Sequence, residues 1–179
     1  MKAEDIVELS TLLAQHGIEI WVDGGWGVDA LLGRQTRAHA DLDIAVKHSD
    51  LAELCRMLES RGYRHVSSGG SWECNFVMAD GQGRRVDIHS FELDARGENA
   101  FGVEYRAEHL TGEGVVGGCR VKCIAPEWMV KFHSGYPLDA DDFHDVKALC
   151  EKFHLAMPEE FKRMAESRRP SGSAAFALE

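Results

Sequence analysis

The segment Ala40-Asp41-Leu42-Asp43-Ile44-Ala45-Val46 constrains this chain more than any other. Its apolar residues carry carboxylates at every second place, the pattern of a strand with one buried face. Asp41 and Asp43 then share the opposite face. Like charges held that close repel unless a cation lies between them. Hard divalent ions such as Mg²⁺ take oxygen ligands and hold phosphates at the same time. The segment therefore implies a sheet core, and it points to metal-dependent phosphoryl or nucleotidyl transfer.

The flanking sequence adds parts that suit this chemistry. Residues 18–22 (Ile-Glu-Ile-Trp-Val) read as a strand. Gly24-Gly25 breaks it and opens a short helix from Trp26 to Leu32, closed by Gly33. A helix start there offers free backbone N–H groups to a phosphate. Two glycines let such a group approach the backbone closely. Arg37 and His39, just before the acidic strand, would add positive charge. Asp80-Gly81-Gln82-Gly83 reads as a hairpin turn into a strand over 84–91. Val86 and Ile88 face the core there, while Asp87 and His89 face the other way. Asp87 would complete a metal site or remove a proton from an acceptor hydroxyl.

The remaining chain alternates in the same manner. Residues 5–16 form an amphipathic helix with Gly17 as its stop, and Asp50-Leu51-Ala52-Glu53 has the form of a capping box. Strands are predicted over 63–67 and 72–79, and a small hairpin over 114–118 and 120–124. Residues 92–112 read as loop with one short strand. From Pro126 the pattern turns helical, with a helix ended by Gly135 and Pro137, a second over 140–154 and a third from about Pro158 to Arg168. The aromatic residues Trp72, Trp128 and Phe132 are expected in the core. The order predicts an α+β fold, a mixed sheet flanked by helices with a helical C-terminal part. Its expected divisions are a core over 1–125, a helical region over 126–169 packed on it, and an unstructured tail over 170–179.

Composition narrows the function. A chain of 179 residues, 44% of them hydrophobic, suits one core. A formal net charge of −10 argues against a general nucleic-acid binder, which needs clustered Lys and Arg. No apolar run approaches the ~18–20 residues of a membrane span. The amino terminus lacks the layout of a signal peptide. A cytoplasmic location is expected, without a membrane partner. The five scattered cysteines then suit free thiols better than disulfides or zinc.

The motifs together resemble a known group. Trp21-Val22-Asp23-Gly24-Gly25-Trp26-Gly27-Val28-Asp29 followed by Arg37-Ala38-His39-Ala40-Asp41-Leu42-Asp43-Ile44 resembles the antibiotic nucleotidyltransferases of the DNA polymerase β superfamily. Val86-Asp87-Ile88-His89, Phe132-His133-Ser134-Gly135-Tyr136 and His144-Asp145-Val146-Lys147 extend the likeness, which is closer to the small lincosamide enzymes than to the aminoglycoside 2″-nucleotidyltransferases. The resemblance implies Mg²⁺-dependent transfer of AMP from ATP to an antibiotic hydroxyl. It assigns Asp41, Asp43 and Asp87 to metal, with Asp87 as general base. It assigns Gly24, Gly25, Arg37, His39 and Lys147 to the nucleotide. His89, on the face of Asp87, and the rings of Trp26 and Tyr136 are the candidates for substrate contact, with a core place as the other reading of Trp26. It also implies a homodimer. Asn75 stands where the likeness leads one to expect Arg, and Ser90 where it leads one to expect Pro.

Three other readings compete. A lincosamide acceptor has an aminoglycoside as its alternative. A regulatory module of the antitoxin kind has no need of three close carboxylates. A metal phosphohydrolase built on His133, His144 and Asp145 would need an all-helical frame.

Overall fold

Two parallel neighbouring strands with buried Leu42, Ile44, Val86 and Ile88 form the middle of the sheet. The computed structural model describes residues 1–67, 69–134 and 136–167. The chain runs α1 (Ala3–Gln15), β1 (Ile20–Asp23), α2 (Gly24–Leu32), β2 (Leu42–Lys47) and α3 (His48–Ser60). It continues with β3 (Arg64–Val66), β4 (Asn75–Ala79), β5 (Arg85–Leu93), β6 (Asn99–Gly102), β7 (Gly112–Val116) and β8 (Cys119–Cys123). A single 3₁₀ turn, Ala107–Leu110, lies between β6 and β7. The described chain then ends in α4 (Pro126–Phe132), α5 (Ala140–Phe153) and α6 (Glu159–Ser167).

The sheet is mixed, in the order β3-β4-β5-β2-β1-β8-β7, with β6 pairing the far end of β5. The β1–β2 pair is antiparallel, whereas β2–β5 and β1–β8 are parallel. This is the expected α+β architecture. Ile6, Leu9 and Leu13 of α1 and Leu54 and Leu58 of α3 are buried in the same core as the strand residues.

Helix α2 is the exception to amphipathic patterning. Trp26 through Leu31 are all buried, because α2 touches β1, β2, β7, β8, α4 and α5. A helix that is surrounded has no polar face to show. Gly27 makes the packing possible: a Cβ there would stand 2.5 Å from the Met129 methyl and 2.9 Å from the Val22 carbonyl oxygen.

Several boundaries differ from expectation. Helix α3 begins at His48 with Lys47 as its cap, so the capping box at Asp50 is not formed. The chain passes from β2 into α3 without a loop, and Asp50 falls in the first turn, where its charge favours the helix dipole. The strand expected over 72–79 is only Asn75–Ala79, since Trp72 and Asn75 exchange hydrogen bonds across a turn. Trp72 is accordingly exposed, not core. Trp128 and Phe132 are partly buried. The expected helix stop at Gly135, the end of the last helix at Arg168, and the tail over 170–179 lie outside the described residues.

Candidate active site

Three carboxylates stand in a row across the sheet. Asp23 on β1 is in register with Asp43 on β2, and Asp43 with Asp87 on β5. In-register residues on neighbouring strands share a face, about 5 Å apart. One donor atom each from Asp43, Asp87 and His89 lie within 4.8 Å of one another. Asp41 precedes β2 and is half-buried, outside that convergent group. Burial, followed by the charges of Asp41, Asp23 and Asp87, pushes Asp43 up to about 7, against the opposing pull of His89.

The donor set fits a divalent cation. Asp87 Oδ1 is buried and accepts no hydrogen bond. His89 Nε2 stands 3.5 Å from it, beyond ordinary hydrogen-bond reach. Burial works against a charged His89, but Asp87, Asp23 and Asp43 outweigh it and raise its pKa. An unpartnered carboxylate oxygen beside a second carboxylate and an imidazole nitrogen is what a metal satisfies.

The glycine pair has a packing task beside the phosphate role its sequence suggests. Asp23 caps α2, its Oδ1 accepting from the Gly24 N–H at 2.8 Å. Gly24 has φ +55, and a Cβ there would lie 2.2 Å from Asp43 Oδ2. A Cβ on Gly25 would lie 2.4 Å from His39 Nδ1 and 2.6 Å from Arg37 Nη2. On the Cβ side of each glycine, the chain's own side chains close against the backbone.

Arg37 and His39 are spoken for. His39 is buried and pairs through Nε2 with Asp29 Oδ2 at 2.5 Å. Asp29 Oδ1 also accepts from the Thr36 N–H and hydroxyl. Burial would raise Asp29, but these hydrogen bonds more than offset it and hold the carboxyl below its usual range. Arg37 donates through Nε and Nη2 to Asp145, which is 1% exposed. These contacts fasten the segment that leads into β2, and thus aim Asp43. They also explain Asp145 without any phosphohydrolase role. Lys147 is on the exposed side of α5, near Glu151.

A cleft of about 540 Å³ opens over the carboxylate row. Asp23, Asp43 and His89 line it together with Tyr105, Lys131 and Tyr136. Tyr136 is exposed and donates to Asp142 Oδ1, and burial followed by Asp142 raises its hydroxyl pKa. Trp26 is not in the cleft: it is 2% exposed and packs on His39, so its place is the core. Asn75 lines the cleft beside His89, its register partner. Ser90 is fully buried, and its N–H donates to Cys74 O, a bond that proline would forfeit.

Sequence reasoning missed Tyr105 and Lys131. Tyr105 lies in a stretch with no periodicity, and its hydroxyl donates to Asp23 Oδ2 at 2.7 Å. Lys131 sits over the Trp128 ring at 3.6 Å and had no motif to mark it. Asp23 directly before Gly24 could have been read as a helix cap. Its place in the carboxylate row could not.

The profile of the family described as aminoglycoside-2″-adenylyltransferase matches residues 5–149. The chain belongs to this family. It is 31% identical to the lincosamide resistance protein of Staphylococcus haemolyticus over 152 residues, covering 82% of this chain and 92% of that one. It is 38% identical to a 2″-aminoglycoside nucleotidyltransferase of Escherichia coli over 119 residues, 65% of this chain and 63% of that protein. The solved lincosamide antibiotic adenylyltransferase LnuA with lincomycin bound superposes with a TM-score of 0.70 at 26% identity, covering 82% of this chain and 94% of the other. As a member of the aminoglycoside-2″-adenylyltransferase family, the chain is a nucleotidyltransferase, and a nucleotide is its substrate.

Proposed function

We propose that the chain moves AMP from Mg²⁺-bound ATP onto a hydroxyl of a small-molecule antibiotic, a lincosamide first, and releases pyrophosphate. The observation that carries this reading is the unpartnered Asp87 Oδ1 beside Asp43, at the edge of a cleft that Asp43 lines. Asp43 and Asp87, joined by Asp41, would hold the metal, which neutralises phosphate charge when bound. Asp87 also takes the proton of the acceptor hydroxyl as general base. His89 and Tyr136 line the same cleft, and Tyr136 would meet the acceptor there.

The nucleotide would sit against the start of α2 at Gly24 and Gly25, where the helix dipole favours phosphate. Arg37 and His39 serve it indirectly, by holding the segment before β2. Lys131 is the lysine that lines the cleft, and it replaces Lys147 in our assignment. A homodimer completes the proposal.

Similarity to the lincosamide resistance protein over 82% of the chain supports a lincosamide acceptor. An aminoglycoside is the second reading, because Glu104 and Asp23 also line the cleft and suit a polycation. Pyrophosphate release from ATP and Mg²⁺ should appear with lincomycin or clindamycin, and be weaker with aminoglycosides. No release with either class, from folded protein, would overturn the antibiotic assignment.

A further inference from the structure

The Tyr105 hydroxyl is the hub of a buried hydrogen-bond chain that the transfer chemistry above does not use. It donates to Asp23 Oδ2 at 2.7 Å and lies 3.1 Å from His89 Nδ1. Tyr105 is 3% exposed and is held edge-on by Phe91 and Phe132, with ring centroids 5.4 and 5.8 Å away. Burial and Asp23 push its pKa well above the usual value, so the phenol keeps its proton.

A phenol has one proton to give, and an ionised carboxylate only accepts. Asp23 takes the Tyr105 proton, and the Gly24 N–H occupies its other oxygen. The Tyr105 oxygen therefore turns a lone pair toward His89, and Nδ1 must be the donor across that 3.1 Å contact. A neutral imidazole with its proton on Nδ1 carries its lone pair on Nε2. His89 Nε2 faces Asp87 Oδ1 at 3.5 Å, an oxygen that accepts no hydrogen bond. Two lone pairs facing across such a gap make room for a cation.

We infer that Tyr105 is a positioning residue that fixes His89 in the Nδ1–H tautomer, making Nε2 a nitrogen donor toward the divalent-cation site of Asp43 and Asp87. The inference deepens the metal part of the proposed function and rests on it only for the identity of the cation's task. An imidazole donor tilts such a site toward ions that accept nitrogen more readily than Mg²⁺ does. Outer-shell partners that orient a ligating histidine typically change metal affinity by about 10–100-fold.

Long-range ¹H–¹⁵N spectra of the metal-free protein, followed upward in pH until the His89 ring has lost its second proton, read the tautomer directly. His89 is assigned by its loss in His89→Gln. The expected result is Nδ1–H in the native protein and a shift to Nε2–H in Tyr105→Phe. Mn²⁺ titration by paramagnetic resonance should show affinity about tenfold weaker in Tyr105→Phe. An Nε2–H tautomer in the native protein, or an unchanged Nδ1–H in Tyr105→Phe, overturns the positioning role. Unchanged Mn²⁺ affinity overturns the donor role. Should Tyr105→Phe not fold, the native spectrum decides, and Asp23→Ala shifts the same tautomer by freeing the phenol proton. None of these readouts depends on nucleotidyl transfer, so an inactive protein with the expected tautomer would sink the transfer reading alone.

Discussion

Asp43 sits where burial and three neighbouring carboxylates oppose its charge, and its pKa rises to about 7 in the metal-free protein. A carboxyl raised in the folded state favours folding below its unfolded pKa, and that contribution is lost as pH rises through the folded value. The metal-free protein should therefore lose thermal stability from about pH 4 to pH 7 through this group, and Asp43→Asn should flatten that stretch of the curve. Melting curves across pH check this; parallel curves for the two proteins would contradict it. The same substitution should leave the protein folded while transfer falls roughly 100-fold or more, since a ligand weighs at least as much as an outer-shell partner. Retention of most activity would remove Asp43 from the metal.

At the scale of elements, α2 and α5 hold the site from behind. Gly24 is the joint between β1 and α2, and both its φ of +55 and the nearness of Asp43 Oδ2 exclude a side chain. Gly24→Ala should cost about 1–2 kcal/mol from the left-handed backbone. It should also displace the Asp43 carboxylate, so that divalent-cation binding weakens more than stability does, as isothermal titration beside denaturation would show. The Arg37–Asp145 pair ties α5 to the segment before β2. Arg37→Ala leaves the buried Asp145 without its cation and should cost about 3 kcal/mol in denaturant unfolding. Arg37→Lys should recover part of this only, because an ammonium cannot reproduce the paired guanidinium donors.

For the whole molecule, the acidic centre makes stability depend on cations. A ligand that binds only the folded state at about 100 times its Kd adds about 2.7 kcal/mol. Mg²⁺ or Mn²⁺ should thus raise the melting temperature, and EDTA should reverse the rise; Asp43→Asn should respond to neither. The expected absence of a membrane span has a limited structural counterpart: among the described residues no helix is long and apolar enough to cross a membrane.

Much of this molecule was legible in its sequence, because hydrophobic period and glycine placement act locally. Alternation put Asp87 and His89 opposite Val86 and Ile88, and Gly33 closes α2 in the left-handed conformation expected of a helix stop. The capping box at Asp50 misled because a continuous passage from β2 overrode the local signal. Trp26 stayed open between ligand and core because an aromatic beside a glycine pair can face either, and only the packing of six elements around α2 decides for the core. The sequence alone determined that carboxylates would share one face of a strand in an α+β fold. Tertiary structure alone decided which carboxylates meet. Strand order and register bring Asp23, Asp43 and Asp87 into one row, and a loop without periodicity delivers Tyr105 to Asp23 and His89. Those contacts arise from long-range pairing, which no local pattern encodes.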